Sequence, residues 1–488
     1  MAATDVKSSG RGNQQLCRII PGSIRAVADS GYPDPCRRTP SARIIQQPVT
    51  ASLQASRRNS QPCITSVRTG LREFREFGKQ TTVFSERFGG DEVPVFVNEF
   101  WTSKQRAAHS LHEVSYRACF KPQLPRFFIE RLTRPGDLVY DPFMGRGTTL
   151  IEAALLDRVP CGCDVNPLSR LLCSPRLQPP QTADVAHRMQ RIPMVPKGPV
   201  REDLLVFYHP ETLAGITALR EYLLEREQDG GLDEVDQWIR MVATNRLTGH
   251  SSGFFSVYTL PPNQAVSVES QIKINQKRCQ TPPLRDVTAI IVKKTRTLLN
   301  KLVPLMDASL WQRGREARLV TAAADHTPEL PDGVMQLVVT SPPFLDVVNY
   351  KLDNWLRCWF NGIDATTVEV WQMSKPAQWQ AAMQRVFVEL HRVLRPGGFV
   401  AFEVGEVRGG SVQLEDLVIP AARAVGLVPE AVLINDQKFT KTSNCWGVDN
   451  LTKGTNTNRV VLLSKPEVGE SVNRLGRAEI PVRPTMQS

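Results

Sequence analysis

The stretch that decides the fold is LVYDPFMGRGTT, residues 138–149. Its first three residues are apolar and stop at Asp141, which is typical of a short buried β-strand, and residues 148–156 then place apolar side chains at helical spacing. Between them, Gly145 and Gly147 allow the backbone to turn tightly and to approach a ligand closely. The stretch predicts a strand that leads through a glycine turn into a helix, whose first N–H groups can face a ligand.

The same strand, turn and helix pattern recurs along the chain. Further apolar runs that end at turn or polar residues lie at 159–163, 334–340 and 399–404. Strands that alternate with helical patterns predict an α/β fold with a doubly wound, mostly parallel sheet of the Rossmann-like type. Residues 427–433 and 460–463 would complete the sheet as late strands, and we expect them to form an antiparallel pair at one edge.

Composition excludes several classes of protein. The chain has 488 residues, 41% of them apolar and 22% charged, which excludes collagen-like, fully disordered and disulfide-scaffold proteins. Its longest uncharged stretch, residues 247–268, contains Pro261-Pro262 and several polar residues, so we expect no membrane span. Ten cysteines without a CxxC pair predict reduced thiols in a cytosol-like compartment, and Cys161, Cys163 and Cys173 lack metal-ligand spacing. We therefore expect no metal.

Positive charge is concentrated at the N-terminus. Residues 1–70 hold ten Lys/Arg and three acidic residues, although the whole chain has a net charge of +11. Because this region has one aromatic residue and no sustained period, we expect residues 1–80 to form a basic, disordered extension. A nucleic-acid-binding arm, an organelle transit peptide and a merely solvated extension are all compatible with it. Residues 466–488 are interpreted as a short tail.

Acidic side chains follow two of the predicted strands. Asp141 can bind an ammonium group, and Asp164 follows the next strand, where a carboxylate in this kind of sheet binds ribose hydroxyls. Leu150 stands at the third glycine position of a dinucleotide fingerprint, and Thr148 is not preceded by the lysine of a phosphate loop. An ammonium and a ribose without a pyrophosphate favour S-adenosylmethionine, although a purely structural glycine turn is an alternative.

A second motif, TSPPF, occupies residues 340–344 directly after an apolar strand. Consecutive prolines fix two φ angles and form a stiff rim. Ser341 and the Pro342 carbonyl could then accept the hydrogens of a planar amine, while Phe344 stacks on its ring. Pro-Pro pairs elsewhere in the chain are best explained as turns, so only the position of this one favours an amine pocket.

Together, residues 141–149 and 340–344 resemble the motifs of the amino-group DNA methyltransferases, and the serine form of the second motif is most similar to that of the cytosine-N4 enzymes. The resemblance extends over residues 105–465 and implies the class I S-adenosylmethionine-dependent methyltransferase fold. It also implies that Asp164 contacts the ribose and Asp325 the adenine amino group. The cofactor-binding residues that it implies are Asp141, Phe143, Gly145, Gly147, Thr148, Asp164 and Asp325. The catalytic residues that it implies are Ser341, Pro342, Pro343 and Phe344.

The expected activity is methylation of the exocyclic N4 amine of cytosine in double-stranded DNA, by direct attack after the base is flipped out of the helix. Methylation at C5 is disfavoured because none of the Pro-Cys pairs continues as Pro-Cys-Gln. Adenine N6, an RNA base amine and a non-catalytic nucleic-acid-binding protein on a methyltransferase shell stay open. The resemblance also makes a cognate restriction endonuclease conceivable, with the protein in the cytoplasm at the nucleoid.

Domain organisation follows from these motifs. Residues 81–174 and 319–465 would form the two parts of the methyltransferase domain, and residues 175–318 a largely helical insert between them. A basic stretch of the insert predicts nucleic-acid contact, although a helical scaffold explains its apolar spacing equally well. Its candidate phosphate-binding residues are Lys273, Lys277, Arg278, Lys293 and Lys294.

Overall fold

A computed structural model describes residues 63–102, 108–116, 119–259, 265–303, 307–343, 345, 350–407, 412–436 and 458–467. The strands are β1 Thr82–Phe88, β2 Asp91–Asn98, β3 Leu138–Asp141, β4 Val159–Cys163, β5 Arg318–Val320, β6 Met335–Thr340, β7 Leu394–Val404, β8 Glu406–Val407, β9 Val412–Gln413, β10 Val428–Asn435 and β11 Asn458–Ser464. The helices are α1 Ile64–Arg72, α2 Gln123–Leu132, α3 Thr148–Leu155, α4 Pro167–Leu177, α5 Thr182–Arg191, α6 Pro210–Gln228, α7 Glu234–Thr244, α8 Val268–Arg278, α9 Val287–Leu299, α10 Ala308–Glu316, α11 Tyr350–Phe360, α12 Pro376–Val393 and α13 Glu415–Arg423.

The main sheet has nine strands in the spatial order β1-β2-β10-β11-β7-β6-β3-β4-β5. The run β5-β4-β3-β6-β7 is parallel throughout, and its strands follow the doubly wound order 3-2-1-4-5. Strand β11 is antiparallel to both of its neighbours, β7 and β10. The predicted doubly wound, mostly parallel sheet is therefore confirmed, and its strand order reverses between β3 and β6, where such folds bind ligands.

The late strands differ from the prediction in one respect. Strands β10 and β11 do pair antiparallel, but they lie inside the sheet because the hairpin β1–β2 continues it beyond β10. The hairpin turn is Gly89-Gly90, and both residues have positive φ angles of 57° and 102°. A Gly-Gly pair between two strand-like runs is a recognised hairpin signal that the sequence analysis did not use. Pairing with β2 covers an edge that β10 would otherwise leave open.

Folded structure begins earlier than expected. Helix α1 buries Leu71, and the Phe74 ring beyond it lies 5.4 Å from the ring of Phe100. Arg68 of the same helix pairs with Glu430 at 2.7 Å. The expected disordered extension to residue 80 is therefore corrected for residues 63–80, since a few apolar side chains dock this segment without a sustained period. Residues 1–62 and 468–488 lie outside the described part of the chain.

Apolar clusters cover both faces of the sheet. On one face, Phe127 and Phe128 of α2 pack with sheet residues such as Val339. On the other face, Met383 and Phe387 of α12 pack with further sheet residues, among them the phenyl ring of Phe402 at 4.9 Å from Phe387. Helices on both faces are what a mostly parallel sheet needs, because its strands are buried on both sides.

In the described residues, the insert between α4 and β5 contains six α-helices, and its buried side chains form one cluster with those of α3 and α4. Buried side chains of α6, α7 and α9 pack together, and Trp238 at the centre donates a hydrogen bond to Thr295 at 3.0 Å. The predicted boundaries fall close to element ends, since residue 174 lies within α4 and Arg318 opens β5. Across the described residues, every helix is too short or too polar to cross a membrane. The cysteines in these ranges are free thiols.

Candidate active site

A pocket with about 880 Å³ of empty space, part of it open to solvent, lies at the carboxyl ends of β3, β4 and β6. This is the switch point of the strand order. Seven of the eleven predicted cofactor-binding and catalytic residues line it: Asp141, Phe143, Gly145, Thr148, Asp164, Ser341 and Pro343. Two motifs almost 200 residues apart in the sequence are thus brought together because β3 and β6 are adjacent strands.

Asp141 ends β3 and its side chain is almost fully buried, with 1% exposure. One carboxyl oxygen accepts hydrogen bonds from the Thr340 hydroxyl at 2.6 Å and from the Phe143 N–H at 3.1 Å. Burial raises the pKa of Asp141 to about 7, although these hydrogen bonds oppose the shift. Both of these donors are neutral. A cationic ligand would supply the countercharge that favours the ionised form, so the site fits an ammonium group.

Asp164, just beyond β4, holds the glycine turn in place. Its two carboxyl oxygens accept hydrogen bonds from the backbone N–H groups of Gly145 and Asn166, each at 2.9 Å. Burial raises the pKa of Asp164, and the two N–H donors lower it in part. A carboxylate fixed at two points, with its side chain on the pocket wall, is well placed to accept hydrogen bonds from ribose hydroxyls.

Gly145 and Gly147 differ in the space that surrounds their Cα atoms. Both have positive φ angles, 49° at Gly145 and 74° at Gly147. A Cβ atom at Gly145 would meet only ordinary contacts, whereas a Cβ atom at Gly147 would lie 2.3 Å from the sulfur of Cys173. Gly147 does not line the pocket among the described residues. Its place in the motif is explained by the packing of the turn against α4.

Ser341 has a partner that the sequence analysis missed. Glu403 of β7 lies beside it, because Thr340 is in register with Phe402 across β6 and β7. Glu403 is 8% exposed, and burial raises its pKa to about 7, while the neighbouring Ser341 side chain acts to lower it. The sequence did contain a signal for Glu403, because it is the one acidic residue in the apolar strand pattern of residues 399–404.

The rest of the second motif is only partly described. Pro342 is buried, and Pro343 reaches the pocket wall while its carbonyl accepts a hydrogen bond from the indole N–H of Trp379 at 2.8 Å. This bond anchors the proline rim to α12. Phe344 lies outside the described residues, so its predicted stacking role stays a prediction.

Asp325 is not on the pocket wall. The neighbouring Ala323 and Ala324 line the pocket, whereas the Asp325 carboxylate forms an ion pair with Arg385 at 2.9 Å. The predicted contact of Asp325 with the adenine amino group stays a prediction. Trp371, which the sequence analysis did not identify, lines the pocket instead, and its ring meets that of Phe143 edge-on at 6.2 Å.

The candidate phosphate-binding residues of the insert fall into two groups. Lys273, Lys277 and Arg278 on α8 and Lys293 on α9 are exposed. Lys294 differs, because its side chain is only 12% exposed and pairs with Glu113 at 3.2 Å. The first four can reach a ligand in solvent, whereas Lys294 is engaged within the protein.

Comparison with known proteins finds a family similarity in part of the chain. Residues 51–168 match the DNA methylase family N6_N4_Mtase. The type II methyltransferase M.MjaII of Methanocaldococcus jannaschii is 35% identical over 77 residues, a match that covers 16% of this chain and 14% of that relative. The chain thus matches only a small part of this relative's length.

Two solved structures are similar at low level. A geranyl diphosphate methyltransferase in complex with S-adenosylmethionine aligns with 71% of this chain and 85% of its own, at 9% identity and a TM-score of 0.29. A TehB-like S-adenosylmethionine-dependent methyltransferase of Corynebacterium glutamicum aligns with 70% and 86%, at 9% identity and a TM-score of 0.25. The strand order, and not these scores, carries the fold assignment.

S-adenosylmethionine is the methyl donor that this similarity implies, and the buried carboxyl of Asp141 and the partly buried carboxyl of Asp164 fit its ammonium and ribose groups. The strand order is that of the class I methyltransferase fold that the resemblance implied. The matched domain contains the whole DPFMGRGTT motif. Through residues 51–168, the chain is similar to the amino-group DNA methyltransferases.

Proposed function

We propose that the protein methylates the N4 amine of cytosine in double-stranded DNA. The observation that carries the proposal is that Ser341 and the two carboxyls of Asp141 and Asp164 line one pocket. A base amine held at Ser341 would therefore lie beside the cofactor site. The match to a DNA methylase family supports DNA as the substrate, and the serine in the second motif supports cytosine N4 over adenine N6.

S-adenosylmethionine, when bound, supplies an electrophilic methyl group on a sulfonium. The chain's own residues hold and orient it. Asp141, at the end of β3, binds the ammonium group, and ion pairing there keeps the carboxylate charged despite its burial. Asp164 binds the ribose hydroxyls on the other side of the glycine turn.

Ser341 acts on the target amine. Its hydroxyl would donate to the Glu403 carboxylate, which would leave the oxygen lone pairs of Ser341 to accept a hydrogen from the amine. The amine nitrogen must pyramidalise to attack the methyl group, and an acceptor fixed on its hydrogen stabilises that change and the positive charge that develops. The bond from nitrogen to the methyl group would form as the bond from the methyl group to sulfur breaks, and the methylated amine would then lose one proton to solvent. Glu403 therefore positions Ser341 for its role as an acceptor and not as a donor.

The target base lies within a duplex, so it has to be flipped into the pocket before transfer. Flipping breaks stacking and pairing at a cost of a few kcal/mol, which protein contacts to the strand must offset. The exposed cations of α8 and α9 are suited to hold the duplex through its phosphates.

The first experiment identifies the product. DNA from cells that express the protein is digested to nucleosides and analysed by mass spectrometry, and we expect N4-methylcytosine. Ser341→Ala should lower the single-turnover rate by about 10²–10³, by analogy with the loss of one preorganised oxyanion donor, while S-adenosylmethionine affinity changes little. Ser251→Ala, at an exposed serine of the insert, is the matched control and should keep the full rate.

A different methylated product would change the proposed substrate. N6-methyladenine in DNA would give the same site an adenine substrate, and methylated bases confined to RNA would exclude the DNA assignment. Full single-turnover activity of Ser341→Ala would contradict the acceptor role. A wild-type protein that binds DNA and cofactor but yields no methylated nucleoside would favour the non-catalytic alternative.

A further inference from the structure

The segment of residues 368–371, between α11 and α12, supplies a part of the pocket wall to which the proposed reaction gives no role. Its Val368 side chain is buried, and the Val370 N–H donates to the Val368 carbonyl at 3.0 Å, which closes a three-residue turn with Glu369 at its centre. Glu369, Val370 and Trp371 all line the pocket. The segment therefore brings one acidic and one aromatic side chain to the wall.

Contacts of the Trp371 ring show where along the pocket it lies. On one side, it meets the Phe143 ring edge-on at 6.2 Å between centroids. On another, the Arg385 guanidinium lies 5.9 Å from its centre, and Arg385 in turn pairs with Asp325 at 2.9 Å. Phe143 follows β3, whereas Asp325 follows β5. Trp371 thus lies between the end of β3 and the segment after β5.

The adenine of the cofactor is expected at this end of the pocket. Strands β3, β4 and β5 are neighbours in that order, and the carboxyls that fit the ammonium and ribose groups follow β3 and β4. A base joined to the ribose would therefore extend towards the end of β5. There, Ala323 and Ala324 line the pocket with small side chains that leave room for a flat ring. An aromatic side chain close to them, such as Trp371, can stack on a purine.

The exocyclic amine of adenine needs an acceptor in such a site. Among the described residues, three acidic side chains line the pocket, and Asp141 and Asp164 already fit the ammonium and ribose groups. The third, Glu369, is exposed, and its carboxylate has no hydrogen-bond or ion-pair partner in the described part of the chain. Asp325 is paired with Arg385 and does not line the pocket. A carboxylate accepts hydrogen bonds strongly and has no hydrogen to donate when ionised.

We propose that Trp371 stacks on the adenine ring of S-adenosylmethionine and that Glu369 accepts a hydrogen bond from its amino group. The inference rests on the proposed function, because it starts from the ammonium and ribose positions given there to Asp141 and Asp164. It makes segment 368–371 the part of the protein that selects a purine carrying an amine.

The first test measures binding by titration calorimetry, with S-adenosylhomocysteine and with its analogue in which hydrogen replaces the adenine amino group. The wild type should bind the analogue about tenfold more weakly, as expected for loss of one charge-assisted hydrogen bond. Glu369→Ala should bind S-adenosylhomocysteine about tenfold more weakly than the wild type does and should bind both ligands equally within about twofold. Glu202→Ala, at an exposed glutamate of the insert that does not line the pocket, is the matched control and should keep both affinities.

Asp325→Ala separates the two carboxylates that could contact the amino group. If Glu369 is the acceptor, this variant should keep the tenfold preference for S-adenosylhomocysteine. An unchanged preference in Glu369→Ala would overturn the role of Glu369. Loss of the preference in Asp325→Ala alone would give the amino group to Asp325.

Two substitutions test the stacking role of Trp371. Trp371→Ala should weaken binding of both ligands by about tenfold, because both contain the purine ring. Trp371→Phe keeps an aromatic face and should stay within about threefold of the wild type. Equal losses in the two variants would overturn the stacking role. Since Phe preserves most of the packing of a partly buried ring, this comparison stays informative if the alanine variant does not fold.

Calorimetry with S-adenosylhomocysteine requires no turnover, so the inference and the proposed reaction can fail separately. If the variants bind as expected but no methylated nucleoside is found, the reaction fails and the adenine site stands. If N4-methylcytosine is found and Glu369→Ala keeps the full preference for the amine, the adenine site fails and the reaction stands. A wild type that does not bind S-adenosylhomocysteine would overturn both.

Discussion

At the residue scale, the pair of Ser341 and Glu403 determines how the proposed reaction depends on pH. An ionised Glu403 accepts the Ser341 hydrogen and leaves the serine oxygen free to accept from the target amine. A protonated Glu403 instead donates to that oxygen and competes with the amine. Since the pKa of Glu403 is raised to about 7, both forms are populated near neutral pH.

We therefore predict that kcat, measured at saturating S-adenosylmethionine, rises with pH and levels off above about pH 7. In Glu403→Gln this rise should disappear, because the amide does not titrate. Saturating cofactor separates this effect from Asp141, whose pKa is also raised to about 7 but which acts on cofactor binding. A rise of the same size in Glu403→Gln and wild type would show that another group controls the reaction.

The same raised pKa has a consequence for stability. Folded Glu403 holds its proton up to about pH 7, whereas the unfolded chain releases it near the ordinary glutamate value of about 4.3. The folded state therefore binds more protons between these values, and the contribution of Glu403 to the unfolding free energy decreases as pH rises through this window. Glu403→Gln should remove this part of the pH dependence in chemical denaturation experiments at pH 5 and pH 8.

At the element scale, the start of α3 depends on the two glycines before it. Alanine at either position adopts a positive φ at a cost of about 1 kcal/mol, but at Gly147 its Cβ atom also meets the Cys173 sulfur. We predict that Gly147→Ala lowers the free energy of unfolding by about 2–4 kcal/mol and that Gly145→Ala lowers it by about 1 kcal/mol. Denaturant unfolding of both variants provides the comparison, and equal losses would contradict the packing explanation.

Helix α8 offers the second prediction at this scale. Lys273 and Lys277 are exposed and one turn apart, so both can neutralise phosphates along one side of the helix. The double substitution to glutamine should flatten the slope of log DNA affinity against log salt by up to about 1.8, two contacts at 0.9 each. Lys197→Gln, at a cation of the insert that is 73% exposed and paired with Glu225, is the control and should leave the slope unchanged. An unaltered slope would leave α8 with the scaffold role that the sequence also allowed.

At the scale of the whole molecule, the parts of the fold with a strong local pattern could be predicted. Residues 138–149 and 340–344 combine apolar strands with turn residues, so they indicated the sheet type and supply eight of the nineteen residues that line the pocket. Glu403 was missed because strand register alone brings it beside Ser341, and Trp371 was missed because only packing between distant segments brings it to the pocket. The role of Asp325 was predicted from a local motif, and the sequence did not indicate its ion pair with Arg385 of α12.

The N-terminal boundary is the feature of the whole molecule where the sequence pattern and the structure differ most, and it can be tested by truncation. Helix α1 and Phe74 belong to the cluster that includes α2 and one face of the sheet, and Arg68 pairs with Glu430 of β10. A chain that begins at residue 81 loses Leu71 and Phe74 from this cluster. Loss of two such buried side chains typically costs about 4–10 kcal/mol in total, which is a large part of the stability of most domains.

We predict that the protein lacking residues 2–80 has a clearly lower thermal unfolding temperature or is insoluble, whereas the protein lacking residues 2–60 unfolds at the temperature of the full chain. Leu71→Ala with Phe74→Ala in the full-length protein is the matched variant, because it removes the same contacts without changing the chain length. It should reproduce the loss seen with the longer truncation. Equal unfolding temperatures for the two truncated proteins would mean that α1 contributes nothing to the fold, and the boundary at residue 80 would then be restored.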